Sequence, residues 1–343
     1  MSTFPTSIEE LTGEWLSQAI GTTVESFEAA PLGVGVGVLG LVTRVTLVST
    51  SGPKTVIVKF PSSAPENRAV ADSYDMYGKE YRFYTQIAPT VPLRAPKCYH
   101  AEFNSDNNDF VLVLEELEGF RIGDQVEGCS KAEAHELIAG IASLHRSTWQ
   151  PDHITDIKPH DMPYQRLGMI DGIKMGLPVV LKEFPELFDD ELTQVCTDLP
   201  NHVASLLDRI APGPMVIVHG DVRLDNIFFA DDGIAMVDFQ ALCKAPPEHD
   251  LAYFVTQSLP ADVRRSEDWL AHYHAALTSE GISYSIEDSR LRYRLYVMYF
   301  LCYAIIIAGT LDAANERGRK LGEILLGNAL ESIRELDAIE LIR

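Results

Sequence analysis

The chain has 343 residues, 46% apolar and 23% charged, close to the average of soluble globular proteins. That balance excludes a disordered chain, a collagen-like repeat and a coiled coil, and the length allows two domains or one large two-lobed unit with a sizeable core. The 28 basic and 50 acidic residues give a net charge of −22, which repels phosphate backbones and anionic membrane surfaces, so nucleic acid is not an expected partner. Five cysteines, Cys98, Cys129, Cys196, Cys243 and Cys302, are scattered without a CxxC spacing. They fit reduced thiols in a cytoplasmic chain better than a disulfide framework or a zinc site. The opening MSTFPTSIEELTGEWL has neither the basic nor the apolar region of a secretory signal. The longest apolar stretch, residues 297–311, falls short of the ~20 residues a bilayer needs, so a buried helix and no membrane span are expected there.

In chain order, residues 7–20 read as one amphipathic helix, with Ile8, Leu11, Trp15, Leu16 and Ile20 at helical spacing. A glycine-rich stretch over 31–50 follows, and its β-branched second half predicts a strand. Ser51-Gly52-Pro53 breaks it, and KTVIVKF over 54–60 predicts a second strand in an antiparallel hairpin. After a polar loop holding Pro61 and Pro65, residues 72–87 read as a helix with Tyr77, Phe83, Tyr84 and Ile87 inward, ended by Pro89 and Pro92. Strands are expected over 96–103 and, in the wholly apolar FVLVL, over 110–114. Beyond Glu115 the pattern changes. Ser130 and Glu133 form a capping-box pattern that opens a helix to about residue 147, with Leu137, Ile141 and Leu144 inward. Another helix is expected over 192–210, then short strands over 215–218, 227–229 and 234–237, the last two flanking the turn signal Asp231-Asp232-Gly233. From residue 251 onward the chain reads as almost entirely helical. Two regions result: a β-rich part over 1–116 and a helical part over 117–343.

Four features recur in one order. Glycines Gly33, Gly35, Gly37 and Gly40 sit before and inside the first hairpin; Lys59 lies near the end of the next strand; Glu80 lies on the following helix; and His219-Gly220-Asp221 with Asn226 precedes Asp238-Phe239-Gln240. Phosphoryl transfer from a nucleoside triphosphate needs this set. Glycines let backbone N–H groups approach phosphate oxygens without a Cβ clash. A lysine neutralises phosphate charge, and a helix carboxylate holds that lysine. An aspartate orients the acceptor hydroxyl and takes its proton, while an asparagine and a second aspartate offer oxygen ligands to Mg²⁺. The Asp221-to-Asn226 spacing equals that of the kinase catalytic loop.

VIVHGDVRLDNIFF, followed by AMVDFQ and then DLAYF, resembles the aminoglycoside and choline phosphotransferase superfamily, and within it the ecdysteroid-kinase-like branch. KEYRFYTQIAP fits that family's αC region, whereas GVGVGVLG matches no strict nucleotide fingerprint. The resemblance runs from Pro31 to about Phe254. It implies an α+β, bilobal, protein-kinase-like fold with a small β-rich N-lobe and a large helical C-lobe. It further implies ATP and Mg²⁺ as cofactors and a small-molecule alcohol as acceptor. Asp221 is then the catalytic base, Asn226 and Asp238 the magnesium ligands, Lys59 the phosphate contact and Glu80 its partner. Gly35 and Gly37 would cover phosphates, Glu115 to Leu117 would take the adenine edge through backbone groups, and His219 would orient the loop. Gly220 stands where protein kinases carry arginine, Gln240 replaces the last glycine of DFG, and the loop from Asp238 to Asp250 is too short for a protein-substrate activation segment. All three departures favour a small-molecule substrate.

Plainer readings compete. Asp221 and Asn226 also suit a turn and a helix cap, Lys59 a solvated strand end, and Glu66 rivals Glu80 as the partner of Lys59. Asp250 reads as a buried structural carboxylate. His135, His145, His153, His160 and His202 show no metal spacing, and the series Tyr293, Tyr296, Tyr299 and Tyr303 reads as helix core. Two other functions stay open. One is a kinase-like binding module without turnover. The other is a metal-dependent hydrolase using His219, Asp221, Asp238, His249 and Asp250. Acceptor determinants are expected in 152–188 and 291–315. Aminoglycosides, macrolides, choline-like amines, sugars and hydroxylated sterols all remain compatible, and nucleotide preference and oligomeric state are open.

Overall fold

Alternation of apolar and polar residues organises the first part of the chain into a sheet. In the computed structural model, which describes residues 3–32, 39–231, 233–312 and 314–343, helix α1 (Gly13–Ile20) is followed by β1 (Val24–Leu32), β2 (Gly40–Ser49) and β3 (Thr55–Pro61). Helices α2 (Pro65–Ser73) and α3 (Met76–Arg82) come next, then a π-helical turn over Phe83–Ile87, β4 (Cys98–Asn104) and β5 (Asp109–Glu115). The strands form one antiparallel sheet in the order β1-β2-β3-β5-β4. Side chains alternate between the faces of a strand. Val56, Val58 and Phe60 of β3 therefore join Val45, Leu47, Val111, Val113 and Leu16 in one core on the α1 side. The intervening Lys59 is directed to the other face. There Tyr77 of α3 stacks on Phe110 of β5 with ring centroids 4.5 Å apart.

Four expectations for this region are corrected. Residues 7–20 are not one helix: a 3₁₀ turn spans Ile8–Glu10, and α1 starts afresh where the Thr12 hydroxyl accepts the Trp15 N–H at 3.1 Å. β1 was not expected, because it is an edge strand whose outward Glu25 and Glu28 blur the alternation. The polar loop holds α2, with Pro65 as its first residue, a position where the missing N–H costs nothing. The single helix read over 72–87 is interrupted at Asp75, whose φ of 53° places it in the left-handed region.

The remainder runs through β6 (Arg121–Ile122), α4 (Lys131–Ser147), α5 (Pro163–Glu183), α6 (Asp190–Ile210), β7 (Val216–Val218), β8 (Ile227–Ala230), β9 (Gly233–Met236) and β10 (Cys243–Ala245). It ends with α7 (Glu248–Gln257), α8 (Ala261–Arg264), α9 (Trp269–Thr278), α10 (Ile286–Thr310) and α11 (Glu316–Glu335). The capping box opening α4 is realised: Glu133 donates its backbone N–H to Ser130 Oγ, and its carboxylate accepts the Ser130 N–H at 2.8 Å. The helices pack around α10, which meets α5, α6, α7 and α11. α10 is long and apolar enough to cross a membrane, with an 18-residue window of mean hydropathy 1.4, but 67% of that window is buried in the protein. Tyr293, Tyr296 and Tyr299 lie in its buried face.

The chain divides into two units: Met1–Phe120 with Ala235–Leu242, and Arg121–Ile234 with Cys243–Arg343. Residues 235–242, which the sequence reading left with the helical part, thus belong to the β-rich unit. The fold is α+β, with a β-sheet first part and a helical second part.

Candidate active site

In the β-rich unit, β3 delivers Lys59 and α3 delivers Glu80 to one point. Lys59 Nζ lies 2.7 Å from Glu80 Oε1 and 3.2 Å from Asp238 Oδ1. Lys59 and Glu80 are buried, whereas the Asp238 side chain remains 33% exposed. Burial alone would push the Lys59 ammonium down, but the charges of Asp238 and Glu80 outweigh it and hold it above its usual range. Burial pushes Glu80 up against the opposing pull of Lys59. The other Glu80 oxygen accepts from Gln240 Nε2 at 3.2 Å. The backbone around Asp238 is specialised: its φ is 66°, and Phe239 beside it is buried against Phe83 with parallel rings. Glu66, the rival partner, sits exposed on α2.

In the helical unit, β7 ends at Val218 and the chain turns through His219, Gly220 and Asp221. Asp250 at the start of α7 holds this turn: its carboxylate accepts the N–H of His219 at 2.7 Å and of Gly220 at 3.0 Å. Gly220 has a φ of 84°, a conformation open to glycine at little cost. Asp250 is fully buried, with His145 Nε2 at 3.2 Å and His249 Nδ1 at 3.1 Å. Burial would raise this carboxyl, but hydrogen bonds and charge from His145 and His249 hold it well below the usual carboxylate range. Asp221 donates its N–H to His219 Nδ1 at 3.2 Å. Its carboxylate is clamped on both oxygens: the Tyr253 hydroxyl donates to Oδ1 at 2.8 Å, and Asn226 Nδ2 donates to Oδ2 at 3.0 Å. Because the amide nitrogen of Asn226 faces Asp221, also reaching its backbone carbonyl at 3.0 Å, the amide oxygen is turned the other way.

The remaining expected residues fall as follows. Gly35 and Gly37 lie outside the described residues. Glu115 donates its N–H to the Lys97 carbonyl at 2.8 Å, so that N–H is not available to a ligand. Its carboxylate accepts from Arg94 at 2.7 Å and from the Lys97 N–H at 2.8 Å. Leu117 has a buried side chain, and its carbonyl accepts the Phe120 N–H at 3.4 Å. Sequence reasoning missed Tyr253, Gln240 and His145 as parts of these arrangements. Tyr253 stands inside the quoted DLAYF and Gln240 inside DFQ, so both had a signal. His145 had none, because a lone histidine on a helix face says nothing of a carboxylate 105 positions away.

Of the residues the hydrolase alternative would use, Asp250, His249 and His219 are engaged with one another and with the turn. Among the described residues, the group of three histidine, cysteine or carboxylate side chains with ligand atoms close enough to hold a metal is instead His135, Glu267 and His272.

A family model described as the ecdysteroid kinase-like family matches residues 37–282. The chain belongs to the ecdysteroid kinase-like family. No curated protein matches it. Among solved structures, this ecdysteroid kinase-like chain is similar to choline kinase from Cryptosporidium parvum at 12% identity and a TM-score of 0.57, covering 91% of this chain and 90% of that one. It is similar to a putative aminoglycoside phosphotransferase from Ralstonia eutropha at 15% identity and a TM-score of 0.54, covering 94% and 97%. An aminoglycoside phosphotransferase solved with GDP and kanamycin is similar at 13% identity and a TM-score of 0.52, covering 94% and 97%. At these identities the likeness shows the fold: that of kinase-like phosphotransferases.

Proposed function

We propose that this ecdysteroid kinase-like chain is an ATP- and Mg²⁺-dependent phosphotransferase that moves the γ-phosphoryl group of ATP to a hydroxyl of a small molecule. The observation that carries the proposal is the buried Lys59 held between Glu80 and the half-exposed Asp238. A hydrophobic core gains nothing from such a group. The donor chemistry fits magnesium, since Asp238 and Asn226 both offer oxygen and hard dications select oxygen. Bound magnesium would offset phosphate charge. Lys59 would bind phosphate oxygens. Asp221, fixed by Tyr253 and Asn226, would orient the acceptor hydroxyl and accept its proton as the oxygen attacks the γ-phosphorus and ADP leaves with the broken bridging bond.

The acceptor is a small-molecule alcohol. Free thiols at all five cysteines fit a cytoplasmic protein.

The test follows ATP consumption with Mg²⁺ over a panel of alcohols, alongside nucleotide binding by thermal shift. Asp221→Asn is expected to bind nucleotide normally and lose turnover by about 10²–10⁴-fold, the usual worth of a general base. Lys59→Met is expected to lose the nucleotide-dependent rise in Tm. Unchanged turnover in Asp221→Asn would overturn the reading. Nucleotide binding without transfer to any alcohol would favour a binding module.

A further inference from the structure

A second polar cluster lies in the helical unit on α4 and at the start of α9. His135 projects from α4, while Glu267 and His272 flank the N-terminal end of α9. His135 Nε2 lies 3.0 Å from Glu267 Oε2, and His272 Nε2 lies 2.5 Å from the same oxygen. The two imidazole rings are edge to face, with centroids 4.8 Å apart. Glu267 Oε2 is buried, yet among the described residues it receives no hydrogen bond from either ring. Its other oxygen, Oε1, pairs with Lys131. Two imidazole nitrogens thus converge on one carboxylate oxygen, a geometry that a shared dication accepting all three lone pairs would satisfy.

We propose that His135, Glu267 and His272 bind a first-row transition-metal dication, Zn²⁺ foremost. Two imidazole nitrogens and one carboxylate oxygen are a borderline donor set that suits zinc, nickel or copper and does not suit magnesium or calcium. The three ligand atoms lie within 4.8 Å of one another, so a common ion needs only small side-chain rotations. Lys131 stays on Oε1, which leaves Glu267 to bind through Oε2 alone and orients it toward the ion. Both histidines are half-exposed, with side-chain exposures of 39% and 48%, so an ion can enter from solvent and water can complete its shell. The ion would join α4 to α9. The same helix pair carries the link from His145 Nδ1 to the Tyr273 hydroxyl at 2.6 Å.

The site is independent of the phosphotransferase reading and is tested without an activity assay. The full chain, stripped by chelator, is titrated with Zn²⁺ by calorimetry and with Co²⁺ by visible absorption, in excess Mg²⁺ so that oxygen-rich sites are occupied. One equivalent is expected to bind, with a rise in Tm and a Co²⁺ spectrum of histidine ligation. The double variant His135→Gln/His272→Gln is expected to weaken binding by more than about 100-fold, beyond what losing an outer partner costs. Its metal-free Tm is expected to match that of the parent, which shows that it folds. Lys131→Gln is expected to retain binding. Equal zinc affinity in parent and double variant would overturn the proposal, as would binding only at millimolar metal.

Discussion

Asp221 depends on its neighbours for direction. A free carboxylate would rotate, but the Tyr253 hydroxyl and the Asn226 amide each hold one oxygen. Burial pushes the Tyr253 phenol up, and the Asp221 charge adds to that shift, so Tyr253 remains a protonated donor at all working pH values. Hydrogen bonds to charged groups contribute about 1.5–3 kcal/mol. Tyr253→Phe is therefore expected to lower phosphotransfer by about 10–100-fold while leaving nucleotide affinity unchanged, since one factor of ten is about 1.4 kcal/mol. Steady-state kinetics with separate variation of ATP and acceptor reads this directly. An equal rise in the KM for ATP would place Tyr253 in another role.

α5 and α10 cross with almost no space between them. A Cβ on Gly176 would stand 2.7 Å from the Ile305 carbonyl oxygen, and one on Gly309 would stand 2.6 Å from the Gly176 Cα. Backbone lies against backbone there, so no side-chain rotation relieves the clash. Gly176→Ala and Gly309→Ala are each expected to cost about 1–3 kcal/mol by overpacking, although alanine is the better helix former. Denaturant midpoints check this, and a stabilised variant would show that the crossing has slack. The opposite case is the start of α4, whose cap is local. Ser130→Ala removes the hydroxyl that accepts the Glu133 N–H and is expected to cost about 1 kcal/mol, read from the same titration.

At the scale of the molecule, buried histidine sets the response to acid. Burial, then the neighbouring His249, lowers His160 to about 3, and its Nδ1 makes no hydrogen bond among the described residues. The unfolded chain titrates near the ordinary value of about 6.5. Above that value His160 is neutral in both states and stability is full. Between about 6.5 and 3 the unfolded state binds the extra proton, so stability falls with pH. From pH 6.5 to 5 the loss is about 2 kcal/mol from this group, at roughly 1.4 kcal/mol per unit. Unfolding free energies of the parent and His160→Gln across that range test it. A variant with the same slope would assign the acid response elsewhere.

Much of this protein was legible in the chain because its signals are short in range. Val56 to Phe60 alternate within one strand, Ser130 caps Glu133 within one turn, and Asp221 and Asn226 share one loop. The motif set around residues 219–240 carried the family resemblance, since those residues are close in sequence. What the tertiary structure decided was every partnership across long chain separations. It chose Glu80 over Glu66 for Lys59, because Glu80 is buried beside the Lys59 ammonium whereas Glu66 is exposed on α2. It gave His145, which the sequence marked only by its lack of metal spacing, to Asp250. It gathered His135, Glu267 and His272, whose spacing carries no motif. Side-chain direction follows from local backbone geometry, but which two faces meet depends on how whole elements pack, and that is a property of the folded chain.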